Sequence, residues 1–199
     1  DIDYSSAFPG DINGGLEDYT AAKLLEDIKG ASCCIDIHSS NIFLQEVPQV
    51  RLNDDYDEML LHLAKYMNTD LVWIHPSQTV NEGSLAYALN QMGIPTMVTE
   101  SGSAFRIRYE YCRQIIDGIF SVMAELGIWK GKTNGKNDVP FINEDKICYL
   151  NCEFSGLFVS YKRLKDRVKK GEIIGIIQNP LMGATEEEVI APVDGILMT

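Results

Sequence analysis

The segment Ile35-Asp36-Ile37-His38-Ser39-Ser40 begins with alternating apolar and polar residues, which predicts a strand with His38 near its end. Because side chains of a strand alternate between two faces, Asp36 and His38 lie on the same face of the predicted strand. A histidine there can bind a metal through one ring nitrogen while a carboxylate holds the other nitrogen. On these six residues alone, a hydrogen-bonded histidine that closes a strand remains the simpler alternative.

The first 130 residues alternate between helical and strand periodicity. The predicted helices are Leu16 to Ile28, Asp54 to Met67, Ser84 to Met92 and Tyr109 to Leu126, and the predicted strands are Cys33 to Ile37, Asp70 to Ile74 and Thr96 to Thr99. This order predicts an α/β fold in which helices flank a mixed sheet and the functional residues lie at strand ends.

The pattern changes after Trp129, where residues 131–146 are predicted to form a linker. Residues 147–199 are predicted to form a small β accessory domain. Its predicted strands are Ile147 to Cys152, Gly156 to Tyr161, Glu172 to Ile177, Glu188 to Ala191 and Gly195 to Leu197. The segment from Val189 to Gly195 resembles the returning strand of biotinyl and lipoyl domains. The region from Pro180 to Thr185 lacks the lysine that such carriers need, so we predict a barrel-sandwich-like wall and not a swinging carrier.

Composition narrows the class of protein. A formal net charge of -12 argues against a nucleic-acid partner, which would require a basic face. No apolar run approaches the roughly 20 residues that span a membrane. The five cysteines lack the paired spacing of a metal site and are predicted to be free thiols in a cytoplasmic protein. Exposed strand edges would allow a homo-oligomer.

Three further motifs accompany the His38 segment, in a set order along the chain. They are Phe8-Pro9-Gly10, Gly83-Ser84-Leu85 and the segment from Gly93 to Gly102, which contains Val98-Thr99-Glu100-Ser101. Together they make the chain, from about Asp3 to its last residue, similar to the succinylglutamate desuccinylase/aspartoacylase family, a branch of the zinc carboxypeptidase-like hydrolases. The resemblance implies a zinc carboxypeptidase-like catalytic domain over residues 1–130. It also implies hydrolysis of the amide bond of a small N-acyl amino acid or related compound.

The resemblance further implies one zinc ion per full-length subunit, held by two histidines and a glutamate with water at the fourth position. It places a zinc-binding histidine at His38 and the glutamate that takes the proton of the water at Glu100. Asp36 would hold the ring nitrogen of His38 that does not bind the metal. We expect His38 at the end of a central strand, within about 8 Å of Glu100. Without the other motifs, a helix cap or a salt-bridge partner is the simpler interpretation of Glu100.

Two features depart from the family. The first departure is that the family's early His-x-x-Glu motif does not precede Phe8 in this chain. Of the remaining histidines, His62 falls within a predicted helix, and only His75 has a position that makes it a credible metal ligand. We therefore expect an N-terminally and C-terminally incomplete polypeptide that binds zinc weakly or not at all and is itself inactive.

The second departure concerns the family's asparagine-arginine pair, whose arginine grips a substrate carboxylate. Here Ser5 and Ser6 stand before Phe8 and cannot supply that cation. Either Arg51 or Arg106 has taken over substrate binding, or a cloning junction has replaced the native first residues. An ordinary surface ion pair is the alternative for both arginines.

Three classes of function stay open. If the protein is a deacylase, we expect a pocket with His38 and Glu100 at its base and with the C-terminal domain along its side. A carboxypeptidase would need an open cleft and a cation for the terminal carboxylate of its peptide substrate. The third class is a non-catalytic binding or regulatory protein that kept the scaffold without the metal.

Overall fold

The computed structural model describes residues 6–76 and 82–199. Its first part contains four helices, namely α1 (Leu16–Ile28), α2 (Glu58–Ala64), α3 (Leu85–Gln91) and α4 (Tyr109–Glu125). They flank a sheet of five strands, namely β1 (Cys34–His38), β2 (Glu46–Asn53), β3 (Leu71–His75), β4 (Thr96–Gly102) and β5 (Phe141–Asn143). Within the described ranges, no helix has both the length and the apolar character that a membrane-spanning segment requires.

The strands are arranged in the order β1-β4-β2-β3-β5. β1 is parallel to β4, and β3 is parallel to both β2 and β5, but β2 is antiparallel to β4. The prediction of a mixed α/β sheet is therefore confirmed. β1 lies at an edge of this sheet, so the expectation that His38 ends a central strand is wrong for the described residues.

Strand alternation gives the sheet one apolar and one polar face. On the apolar face Val50, Leu52, Val72 and Met97 pack against the buried side chains of α2 and α4. The strand registers place the following residues on the opposite, polar face: Asp36, His38, Gln49, Arg51, Trp73, His75, Val98 and Glu100. The predicted site residues that lie in strands therefore share one face of the sheet; they are Asp36, His38, Arg51 and Glu100.

Helix α4 packs closely against the backbone that follows α2. A Cβ atom added at Gly118 would lie 1.9 Å from the Met67 carbonyl oxygen. Only glycine permits this approach, which brings Ile115 and Val122 into the apolar core.

The Phe8-Pro9-Gly10 and Gly83-Ser84 motifs meet in a second core, formed by α1 and α3. The Phe8 amide donates a hydrogen bond to the Gly83 carbonyl at 2.9 Å, and the Phe8 ring packs with residues of both helices. Gly10 has a φ of 75°, and a Cβ there would lie 2.2 Å from the Asp18 carbonyl oxygen. Ser84 caps α3 by accepting a hydrogen bond from the Tyr87 amide at 3.2 Å. These motifs therefore have a structural basis that does not require catalysis.

The central strand β2 was not among the elements predicted from the sequence. It contains Pro48, which removes a backbone donor and argues against an interior strand. The structure accommodates Pro48 in a register shift between Glu46 and Gln49. The Pro48 carbonyl still accepts a hydrogen bond from the Asp70 amide at 2.8 Å.

The C-terminal part contains two small antiparallel sheets. One has the order β6 (Leu157–Ser160), β8 (Ile173–Gln178) and β9 (Thr185–Ile190), and the other pairs β7 (Arg167–Val168) with β10 (Gly195–Ile196). Their core is formed by Val168, Ile174, Ile177, Val189 and Ala191. Because these sheets are separate, the barrel-sandwich-like arrangement stays a prediction. The predicted strand from Ile147 to Cys152 is wrong, since none of these residues pairs in a sheet.

Contacts connect the C-terminal part to the main sheet. The Val47 amide donates to the Met198 carbonyl at 3.0 Å, and Lys165 Nζ lies 2.7 Å from Asp70 Oδ2. Strand β5 and a 3-10 helix (Glu144–Lys146) fall within the segment predicted as a linker. The side chains of Ile142 and Ile147 pack there against Trp73 and its buried neighbours.

Candidate active site

His38 and Asp36 form a pair at the end of β1. The two residues are separated by one position, so both point to the polar face, and Asp36 Oδ2 lies 3.0 Å from His38 Nε2. The hydrogen bond to Asp36 raises the pKa of His38. With Nε2 occupied by the carboxylate, Nδ1 is the ring nitrogen left to act as a ligand.

Glu100 lies beside His38 on the neighbouring strand β4. The two residues are register partners in the parallel β1–β4 pair, and such strands run about 4.8 Å apart. Glu100 is buried, and its Oε1 atom has no hydrogen-bond partner among the described residues. Burial raises the pKa of Glu100, and the charge of Arg51 opposes that rise. The carboxylate therefore retains one oxygen that can accept a proton.

Arg51 holds the other oxygen of Glu100. Its Nη1 lies 3.4 Å from Glu100 Oε2, and its Nη2 lies 2.6 Å from Glu46 Oε1. Its guanidinium carbon is 5.3 Å from the centre of the Trp73 ring. Arg51 is therefore not the ordinary surface ion pair considered from the sequence, because its partners are two buried carboxylates.

Glu46 was not predicted as a site residue. In a regular strand, residues 46 and 51 would point to opposite faces, since their separation is odd. The bulge between Glu46 and Gln49 inserts one extra residue and moves Glu46 to the face of Arg51. No periodicity in the sequence signals this bulge, although Pro48 gives a local hint.

Arg106 is not brought to this group. It is exposed and forms an isolated bridge with Ser103 in the turn after β4. It is absent from the described residues that line the cleft next to Glu100.

His75 lies on the polar face but far from His38. Strands β4 and β2 separate β3 from β1, which puts the two histidines about 14 Å apart across the sheet. The His75 ring stacks on Trp73 with 4.1 Å between ring centres. Burial, followed by the charge of Arg51, lowers the pKa of His75 to about 4. The separation rules out a metal ion shared by His75 and His38.

His62 also lies away from the site. It is in α2, on the other side of the sheet, and its Nε2 pairs with Glu125 Oε1 at 2.6 Å. His62 is exposed at the surface of this helix.

A cleft of about 690 Å³ opens over the polar face. Its described lining includes His38, Arg51, Asn53, Asp55, Asp57, His75, Ser84, Tyr87, Asn90 and Glu100. Helix α3 supplies one side of it. No described lining residue belongs to residues 147–199, so the expectation that the C-terminal domain walls this pocket is wrong.

The described residues supply only part of a zinc site. His38 Nδ1 suits one ligand position, and the unpaired oxygen of Glu100 suits a base. Within residues 6–76 and 82–199, however, no group of three or more His, Cys, Asp or Glu residues is placed to hold a metal ion. Zinc requires three protein ligands and an open position in a catalytic site. Ser5, which was considered at the position of the family's arginine pair, lies outside the described residues.

Solved structures provide the comparison with known proteins. A succinylglutamate desuccinylase from Silicibacter sp. TM1040 superposes with a TM-score of 0.83 at 23% identity, over 98% of this chain and 61% of that chain. The ectoine utilization protein EutE (DoeB) from Ruegeria pomeroyi, in a product-bound structure, has a TM-score of 0.81 at 21% identity, over 98% and 61%. A succinylglutamate desuccinylase/aspartoacylase from Rhodobacter sphaeroides has a TM-score of 0.80 at 21% identity, over 99% and 62%.

These similarities concern the fold. The neighbours bear the family name inferred from the motifs, so the recognition of a succinylglutamate desuccinylase/aspartoacylase-type chain is confirmed at the level of the fold. The chain spans about three fifths of the length of these solved structures. No family model matches the chain, and no curated protein matches it by sequence.

Proposed function

We propose that this chain is part of a metal-dependent hydrolase that cleaves the amide bond of a small N-acyl amino acid or related compound. The observation that carries the proposal is the adjacency of His38, backed by Asp36, and Glu100, with one buried and unpaired oxygen. The shared fold with desuccinylase/aspartoacylase structures supports the same class of reaction.

The proposed cofactor is one zinc ion per full-length subunit, held in part by His38, with its other ligands outside the described residues. When bound, zinc would activate a water molecule and polarise the carbonyl group of the substrate. The chain's own residues prepare that chemistry. Asp36 accepts the Nε2 hydrogen of His38, which fixes the tautomer and directs the Nδ1 lone pair outward.

Glu100 is the proposed general base. Its Oε1 atom would accept a proton from the attacking water and then pass it to the departing amine nitrogen. Burial makes this carboxylate a stronger base than an exposed glutamate, because it raises the pKa of Glu100. The cleft volume of about 690 Å³ lies within the range of small-molecule sites and supports a small substrate.

Metal analysis and activity measurements on the full-length protein test the proposal. We expect about one zinc per subunit and hydrolysis of at least one member of a panel of N-acyl amino acids. Peptides with free C-termini should be poor substrates, and preferential cleavage of such peptides would favour a carboxypeptidase. A full-length protein that neither retains zinc nor cleaves any panel member would instead support a binding or regulatory role.

A further inference from the structure

We propose that Arg51 is a positioning residue for Glu100 and that Glu46 holds Arg51 in place for this task. The inference rests on the proposed function and deepens it. It replaces the role considered from the sequence, in which Arg51 grips a carboxylate of the substrate.

The charges around Arg51 argue against substrate binding. The guanidinium group already contacts Glu46 at 2.6 Å and Glu100 at 3.4 Å, and both carboxylates are buried. Two carboxylates therefore neutralise one cation. A substrate carboxylate would have to displace one of them or enter as a third negative charge, which is unfavourable in a partly buried site.

The geometry of Glu100 indicates what the arginine does instead. Arg51 Nη1 is next to Oε2, whereas Oε1 has no partner among the described residues. A carboxylate held at one oxygen by a fixed cation keeps its other oxygen in a defined direction. Proton transfer depends steeply on such placement, because the acceptor must lie within hydrogen-bond reach of the water.

Arg51 is itself held on several sides. Glu46 Oε1 accepts hydrogen bonds from Arg51 Nη2 and from Gln49 Nε2, the latter at 3.2 Å. Gln49 is 1% exposed, so this support is buried. The Trp73 ring lies under the guanidinium group at 5.3 Å. The bulge between Glu46 and Gln49 makes this arrangement possible, since it places Glu46 on the face of Arg51.

The first experiment compares kinetic constants of the full-length protein with those of Arg51→Met and Glu46→Gln. A positioning role predicts that kcat falls about tenfold or more while KM changes less than about twofold. Arg108→Met is the matched control, because Arg108 contacts Glu110 and Gln45 and does not line the cleft. We expect its kinetic constants to equal those of the unmutated protein.

Two substrates then separate the two roles of Arg51. An N-acyl amino acid and its carboxamide analogue differ only in the carboxylate that an arginine could grip. A positioning residue affects both alike, so Arg51→Met should lower kcat for both by the same factor. An increase in KM for the N-acyl amino acid alone would overturn the proposal. Added guanidinium ion should restore part of the rate of Arg51→Ala, and an absence of rescue together with a raised KM would count against it.

A second readout does not depend on catalysis. In a double-mutant cycle of Arg51→Met and Glu100→Gln, the shifts in the denaturant midpoint of the full-length protein should be non-additive, because the two side chains are in contact. Additive shifts would overturn the inferred Arg51–Glu100 contact. If the unmutated protein hydrolyses no substrate, the proposed function fails, and the cycle alone decides whether Arg51 holds Glu100.

Discussion

His38 and Glu100 are register partners on the adjacent parallel strands β1 and β4. Their pairing joins a residue suited to bind a metal with a residue suited to accept a proton. The two are 62 positions apart in the numbering of the chain, so only the pairing of the strands brings them together. This relationship is the basis of the first two predictions below.

Glu100→Gln should lower kcat of the full-length protein by roughly 100-fold or more while its zinc content is retained. The substitution keeps the size of the side chain but removes the proton acceptor. Steady-state kinetics and metal analysis provide the measurement. Glu110→Gln, an exposed glutamate of α4, is the control and should leave kcat unchanged. Loss of zinc along with activity would instead make Glu100 a metal ligand or a structural support.

Asp36→Asn should weaken zinc binding of the full-length protein by about 10- to 100-fold. Asparagine fits the same space, but its neutral amide no longer stabilises the Nε2 hydrogen of His38 as a carboxylate does. Titration with a competing chelator measures the affinity. Unchanged affinity would show that Asp36 only closes the strand. Asp27, an exposed residue of α1, offers the matched control variant Asp27→Asn.

Stability should decrease as the pH falls from 6.5 toward 4, in part because of His75. Its pKa in the folded protein is about 4, below its ordinary value of 6.5, so the unfolded chain binds a proton in this range that the folded chain does not. The contribution approaches about 1.4 kcal/mol per pH unit between these values. Urea unfolding of the metal-free protein at several pH values provides the measurement.

His75→Phe is the comparison for this pH dependence. Phenylalanine can keep the stacking on Trp73 but cannot titrate. We expect a shallower loss of stability between pH 6.5 and 4 than in the unmutated protein. Equal slopes for the two proteins would show that His75 is protonated as readily in the folded state as in the unfolded one.

Gly118→Ala should destabilise the protein by about 1 to 3 kcal/mol, although alanine is the better helix former by about 1 kcal/mol. The added methyl group would overlap the Met67 carbonyl oxygen, and α4 would have to move away from the core. Urea unfolding monitored by circular dichroism tests this prediction. A stabilised variant would show that α4 shifts at little cost.

The sequence was sufficient to locate most helices and strands β1, β3 and β4, because their apolar residues recur at regular spacing. The helix Leu16–Ile28 has the predicted bounds, and α4 begins at the predicted Tyr109. The same regularity failed for β2, where Pro48 and an extra residue break the alternation. The prediction also failed for Ile147 to Cys152, a mostly apolar run whose residues do not pair in a sheet.

The motifs determined the family resemblance and the pair His38 and Asp36, because two residues at strand spacing must share a face whatever the rest of the chain does. Tertiary structure alone decided which distant residues join them. Strand pairing brought Glu100 beside His38, and the bulge in β2 brought Glu46 to Arg51. Strand order kept His75 away from His38. Local spacing specifies the face of a strand, whereas register, bulges and strand order arise from contacts between segments far apart in the chain.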